Sequence, residues 1–239
     1  MIPRVRTAGI ALLAVLAVAP PCLAAVGMAP GRGAIGGQLG GSLFWADGDY
    51  SKGAKPRMAF SGHFRYVLND HVRWQASPGF TWAGYTGSLP IPVPDGNYPQ
   101  DLTKKTNLTL LLPMTFELQW MMHTKKWHYH LGAGPGVYRL WIENHRIPLV
   151  DTASFVVHRG LYPGFTGEFG VEHFVRQLPS TSVEACVTTH YVFAKDENKF
   201  PAGYNGNVGV TEIRIGANYY FDMGRLRRKS TELPPSTKK

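Results

Sequence analysis

Residues Gly209 to Asp222 read GVTEIRIGANYYFD. Ile213, Ile215, Ala217, Tyr219 and Phe221 hold one set of alternate positions; Glu212, Arg214, Gly216, Asn218, Tyr220 and Asp222 hold the other. Successive side chains of a β-strand point to opposite faces, so this segment has one greasy side and one charged side. The same alternation recurs upstream. Phe60, Phe64, Tyr66 and Leu68 oppose Ser61, His63 and Arg65, and Trp74, Phe80 and Trp82 oppose Arg73, Gln75 and Thr81. Leu108, Leu110, Leu112, Met114, Phe116, Leu118 and Trp120 oppose Thr109, Thr115, Glu117 and Gln119. Further on, Leu161, Phe165 and Phe169 oppose Thr166, Glu168 and Glu172, and Val183, Val187 and Phe193 oppose Glu184, Cys186, Thr188 and His190.

The pattern predicts eight strands, at about 36–45, 58–68, 72–85, 106–122, 127–143, 158–175, 181–194 and 207–222. No stretch repeats its apolar residues at helical spacing. The connections alternate in length. Ala46–Arg57, Thr86–Lys105, Asn144–Val157 and Lys195–Gly206 are long, whereas Asn69-Asp70, His123–Lys126 and Arg176–Ser180 are short. In an up-and-down antiparallel sheet this sorts the long loops to one end and the tight turns to the other, which is the layout of a bacterial outer-membrane barrel. The fifth strand, HLGAGPGVYRLW, carries a proline at Pro135, where a change of phase and a bulge are expected.

Either polarity fits eight antiparallel strands. A soluble carrier is greasy inside and a membrane barrel is greasy outside. Eight strands enclose an interior just wide enough for side chains to fill. The set that includes Trp45, Trp74, Trp82 and Trp120 is too bulky to share that space, so it is assigned to lipid. Trp74, Trp120, Tyr219 and Phe221 at the turn ends, with Trp45, Trp82, Tyr85, Tyr191 and Phe193 at the loop ends, read as two aromatic girdles. The expected fold is thus all-β: an eight-stranded antiparallel up-and-down transmembrane β-barrel. Its lumen would hold an ion network of Arg65, Arg73, Glu117, Glu168, Glu172, Glu184, His190, Glu212 and Arg214. Buried charges are costly alone, so bidentate arginine–glutamate pairs are expected, closing the lumen as a plug.

The ends add a destination. Arg4 and Arg6, the apolar run Ile10–Ala19 and the small residues at Cys22–Ala24 form a secretory signal over residues 1–24. Residues 25–35 are a short N-terminal segment, 36–222 the barrel, and 223–239 a basic periplasmic tail predicted to be disordered. Past the signal only Cys186 remains, so no internal disulfide is available. The formal charge of +9 is concentrated in that tail, where six cations from Arg225 to Lys239 face Glu232. An exported chain with its charge in a solvated tail is not read as binding nucleic acid.

Candidate chemistry is sparse. Glu168 and Glu172 share a face, which strand spacing alone produces. His128 and His130, with His123, lack a nearby carboxylate or cysteine to complete a metal set and are placed at the turn-side interface. Ser61 and His63 share a face without a nucleophile elbow. GAGPG lacks the lysine of a phosphate loop. Tyr50, Tyr98, Phe155, Phe200 and Tyr204 sit on the long loops, where they could meet a ligand.

With its signal, strand count, loop asymmetry, the stretch YHLGAGPGVY and a last strand ending NYYF, the chain resembles the small eight-stranded outer-membrane β-barrel family, the OmpA/OmpW-like group, over Gly36–Asp222. The resemblance implies residence in the bacterial outer membrane and contact with outer-membrane lipid and lipopolysaccharide. It also implies recognition of a terminal aromatic, here Phe221, by the barrel-assembly machinery. The implied role is structural or surface-binding, through an unknown extracellular ligand, with no enzyme activity, cofactor or metal. Two rivals are a lipid A-modifying enzyme of the same size and a narrow channel for small solutes.

Overall fold

The structure is a computed structural model that describes residues 28–45, 54–85, 107–124, 126–144, 147–148, 150, 154–200 and 204–223. Eight long strands account for most of them: β1 (Arg32–Trp45), β2 (Arg57–Asn69), β3 (Val72–Tyr85), β4 (Asn107–His123), β5 (His128–Asn144), β6 (Arg159–Val175), β7 (Leu178–Val192) and β8 (Val208–Asp222). Two-residue strands at Ala54–Lys55 and Ile147–Pro148 extend β3 and β5 at the loop end. Each long strand pairs antiparallel with its sequence neighbours, and β1 pairs with β8 from Arg32↔Asp222 to Trp45↔Gly209. That last ladder closes the sheet into a barrel and leaves no long edge unpaired. Asp70-His71, Thr124–Trp127 and Arg176-Gln177 make the tight connections at one end. The signal segment, the loop residues Tyr50 and Tyr98, and the tail beyond Met223 lie outside the described residues.

Local differences from the sequence reading have identifiable causes. β1 starts at Arg32, four residues before Gly36, because Ala34 is drawn into a buried cluster with Val67, Met121 and Tyr220. β7 starts at Leu178, so Pro179 lies in the strand and not in the turn. The irregularity falls instead on β6, between Phe174 and Val175. Pro135 makes no bulge. Leu118↔Ala133 and Thr115↔Gly136 keep one register on either side of it, and β6 pairs straight past it. Pro135 points outward, and its neighbour Gly134 lets β4 approach: a Cβ there would collide with the Phe116 carbonyl oxygen. The close approach takes the place of the bulge expected at the proline.

Polarity is inverted relative to a soluble protein. Arg65 and Arg73 have no exposed surface, while Leu161 and Ile215 are 69% and 68% exposed on the outer wall. Met114, Phe116, Leu118 and Trp120 line the outer face of β4, and Ile35, Leu39 and Leu43 that of β1. An apolar surface running right round a barrel is unstable in water at about 25 cal/mol per Å² and is satisfied by hydrocarbon. Aromatic rings gather at both rims. Trp74 packs against Phe64 and Tyr66, and Trp120 stacks on His71 at the turn end. At the loop end, Trp82 meets Phe80 and Trp45 meets Tyr191. Such girdles mark the two interfaces of a membrane barrel.

Candidate functional site

The inward positions of the strands converge on one axis, and at mid-height they are charged. Arg65 on β2 reaches across to Glu184 on β7 with two parallel bonds, Nη1 to Oε2 at 2.7 Å and Nη2 to Oε1 at 3.2 Å. Its Nε donates to Gln75 on the neighbouring strand. Arg73 on β3 holds Glu172 on β6 at 2.8 Å and donates from Nε to Gln119 at 2.6 Å. Arg214 on β8 binds Glu168 at 3.2 Å and its own-strand neighbour Glu212 at 3.3 Å. Arg214 also donates to Ser61 and Thr188, at 2.7 and 2.5 Å.

Each carboxylate has further donors. Glu168 accepts from Thr188 at 2.8 Å and Gln119 at 3.0 Å, with His130 Nε2 at 3.1 Å. Glu172 accepts from Asn218 and the Tyr220 hydroxyl at 3.0 and 2.8 Å, and from Ser182. Gln38 donates to Glu184 at 2.6 Å. Glu117 differs: it accepts from Thr166 at 3.1 Å and Gln119 at 3.3 Å and has no ion pair among the described residues. Glu212 lies 3.9 Å from His190 Nε2. Arg65 is also 3.8 Å from both Glu168 and Glu172, so the pairs merge into one lattice spanning opposite walls. All nine positions of the ion network read from the sequence are buried there. A lattice of this kind is held by mutual satisfaction: each charge is tolerable because its partners are fixed.

Above and below the lattice the same inward positions turn apolar. At the loop end, Phe44, Leu111, Tyr138, Leu140, Ile142, Tyr162, Val192, Val208 and Val210 pack together, joined by Ala194 and Tyr204 from the segment after β7. At the turn end, Met28, Ala34, Val67, Met121 and Tyr220 form a smaller cluster with Phe174. A tyrosine marks each boundary. The Tyr138 hydroxyl donates to the Phe165 carbonyl at 3.1 Å and lies 3.2 Å from His190 Nδ1. Tyr220 puts its ring in the turn-end cluster and its hydroxyl on Glu172. These apolar caps were missed in the sequence. On strand β5 the apolar Tyr138, Leu140 and Ile142 point inward while Arg139 points outward, and that reversal of the alternation was the available signal.

The remaining candidates are occupied by structure. Ser61 donates to Gln38 at 3.0 Å, and His63 contacts Asn218 at 2.5 Å, so neither forms a nucleophile–base pair with the other. His123 and His128 lie inside the turn-side mouth with their Nδ1 atoms 2.7 Å apart, and His130 belongs to the lattice; the interfacial placement expected for them is corrected accordingly. No group of three or more ligating side chains gathers as a metal site among the described residues. Outside the loop-end cap, His158 stacks on Phe200 with ring centroids 4.5 Å apart, and Phe155 is exposed.

No protein-family model matches the chain, and no curated protein matches it in sequence. Solved structures do resemble it. Neisserial surface protein A is 14% identical, with 80% of this chain and 97% of that chain covered and a TM-score of 0.48. The N-terminal β-barrel domain of Pseudomonas aeruginosa OprF is 11% identical, with 80% and 98% covered and a TM-score of 0.46. The outer membrane protein OprG from Pseudomonas aeruginosa is 15% identical, with 82% and 98% covered and a TM-score of 0.46. Closure by β1 and β8, girdles at both rims and a charged interior behind a greasy wall make this chain an eight-stranded β-barrel of the small outer-membrane type.

Proposed function

We propose that the protein is a non-enzymatic integral component of the bacterial outer membrane, shut to solute flow, with a structural or surface-binding role carried by its longer loops. One observation carries the proposal: the cross-lumen lattice of Arg65, Arg73 and Arg214 with their glutamates lies between two apolar plugs. An open pore keeps its polar lining hydrated, whereas here the polar groups spend their hydrogen bonds on one another. The smallness of an eight-strand interior supports the same reading.

Single-channel recording of the folded protein in planar bilayers tests it. No steady conductance is expected, and a large steady current would show a channel instead. A gel-mobility shift on boiling checks that the protein under the electrodes is the folded barrel. Lipid A extracted from overexpressing cells is expected to be unmodified; a change in its acylation would replace the structural role with an enzymatic one.

A further inference from the structure

At the turn-side mouth two imidazoles are aimed at one another. His123, the last residue of β4, stands opposite His128, the first of β5, across the hairpin that joins the strands. Both are buried, and their Nδ1 atoms lie 2.7 Å apart. Thr124 N–H donates to the Trp127 carbonyl at 2.8 Å and closes the hairpin, so the ladder itself holds the rings in place. The turn between β2 and β3 fixes the tautomer. His123 Nε2 lies 2.6 Å from the Asp70 carbonyl oxygen, which can only accept. In the neutral ring Nε2 therefore carries the proton, and Nδ1 presents a lone pair to His128.

An imidazole whose far N–H is tied to a backbone carbonyl is oriented as metal-bound histidines are. In the ion-free pair His128 Nδ1 supplies the shared proton. Moving that proton to its Nε2 leaves two lone pairs facing one point. An ion between them needs two metal–nitrogen bonds of about 2 Å, a gap wider than the resting one by about 1 Å, which small rotations of both rings supply. Access is from the turn end, where Asp70 and His71 are exposed and His71 stacks on His123 with centroids 6.4 Å apart.

The surroundings select the ion. Zinc asks for three or four histidine, cysteine or carboxylate ligands, and no such group of three forms among the described residues. The next inward residue on β4 is Met121, clustered with Met28, Val67 and Tyr220, and His128 stands edge-to-face with Phe174. The Tyr220 hydroxyl is already committed to Glu172 and Arg73. Imidazoles beside thioethers, with little free oxygen, favour a cuprous ion. One positive charge also costs less than two in an apolar pocket, and Glu172, in register with His128, supplies negative charge one strand away.

We infer that His123 and His128 form a two-imidazole site for a single cuprous ion, in a pocket of thioether and aromatic side chains at the turn-side mouth. The site goes beyond the closed-barrel reading and does not depend on the lumen being shut.

The test uses the full folded chain in phosphatidylcholine vesicles, with cuprous ion kept reduced by ascorbate and held by the coloured chelator bicinchoninate. One equivalent of copper is expected to leave the chelator for the protein. H123Q and H128Q are each expected to abolish the transfer, and M121L to weaken it about tenfold. H173Q, at a histidine that bonds the Lys126 carbonyl instead, is expected to leave it unchanged. No transfer to the wild-type chain overturns the site, as does full transfer to H123Q and H128Q that still show heat-modifiable mobility. Unaltered affinity in M121L overturns the thioether contribution, and uptake of zinc in preference to copper overturns the choice of ion. X-ray absorption at the copper edge of the loaded wild-type chain frees the test from the folding of the variants. A shell of two imidazole nitrogens is expected there; a shell of sulfur or oxygen without imidazole overturns the assignment.

Discussion

The middle of the lumen and its loop end are lined by the same alternate strand positions, yet one is a lattice of charges and the other a plug of tyrosine, leucine and valine. On β5 the change runs along one strand, from His130 against Glu168 near its start to Leu140 and Ile142 in the apolar cap near its end. Strand parity decides only whether a side chain points in or out. Height along the axis decides what chemistry the position requires. Mid-lumen groups are buried and polar, so they must satisfy one another, whereas the buried end positions are met by apolar neighbours.

The comparison can be broken most forcefully at its centre. Replacing Arg65 with Met removes both bonds to Glu184 and strands a buried carboxylate. A loss of about 3–5 kcal/mol is expected, read by urea unfolding in lipid vesicles through tryptophan fluorescence. If stability is retained, the lattice is not a cooperative unit. The outer wall is the converse case. Placing arginine at exposed Leu118, in the apolar belt, is expected to cost about 2–4 kcal/mol in the same assay, so a group required within the wall is harmful outside it.

The apolar plug is expected to be less sensitive. Leu140→Ala leaves a cavity among Leu111, Tyr138 and Ile142, with an expected loss of about 2 kcal/mol and no gain of steady conductance while the lattice is intact. The smallest effect sharpens the contrast within the lattice itself. Glu117→Gln keeps the side-chain shape and removes a charge that has no ion pair among the described residues, so stability should change by less than about 1 kcal/mol. If Glu117→Gln costs as much as Arg65→Met, the arginines act on Glu117 through the whole network and not pair by pair.

Much of the fold was legible because lipid and lattice impose opposite demands on adjacent residues. The alternation in Gly209–Asp222 survives intact in β8, with Ile213 and Ile215 outside and Glu212 and Arg214 inside. Loop lengths gave the up-and-down order, and the structure adds that β1 and β8 close it. What was not legible depended on neighbours. Pro135 looked like a bulge because its effect on the ladder depends on how near β4 comes at Gly134, which no reading of one strand supplies. The inward cap of Tyr138, Leu140 and Ile142 was not read, because there the apolar residues take the inward positions and Arg139 an outward one, which reverses the polarity that the other strands show. Pairings within the lattice, such as Arg73 with Glu172, are separated by 99 residues and follow from shear and register, not from local spacing.

The β1–β8 ladder has a consequence for biogenesis. Arg214, Asn218 and Tyr220 all belong to the last of the eight barrel strands in chain order, and they satisfy glutamates on earlier strands. A chain halted before residue 208 would therefore carry Glu168 and Glu172 short of donors, beside a first strand with one edge unpaired. Such a fragment has neither a seam nor a neutralised axis. Release into the bilayer should accordingly behave as an all-or-none checkpoint, cleared only when the final hairpin arrives.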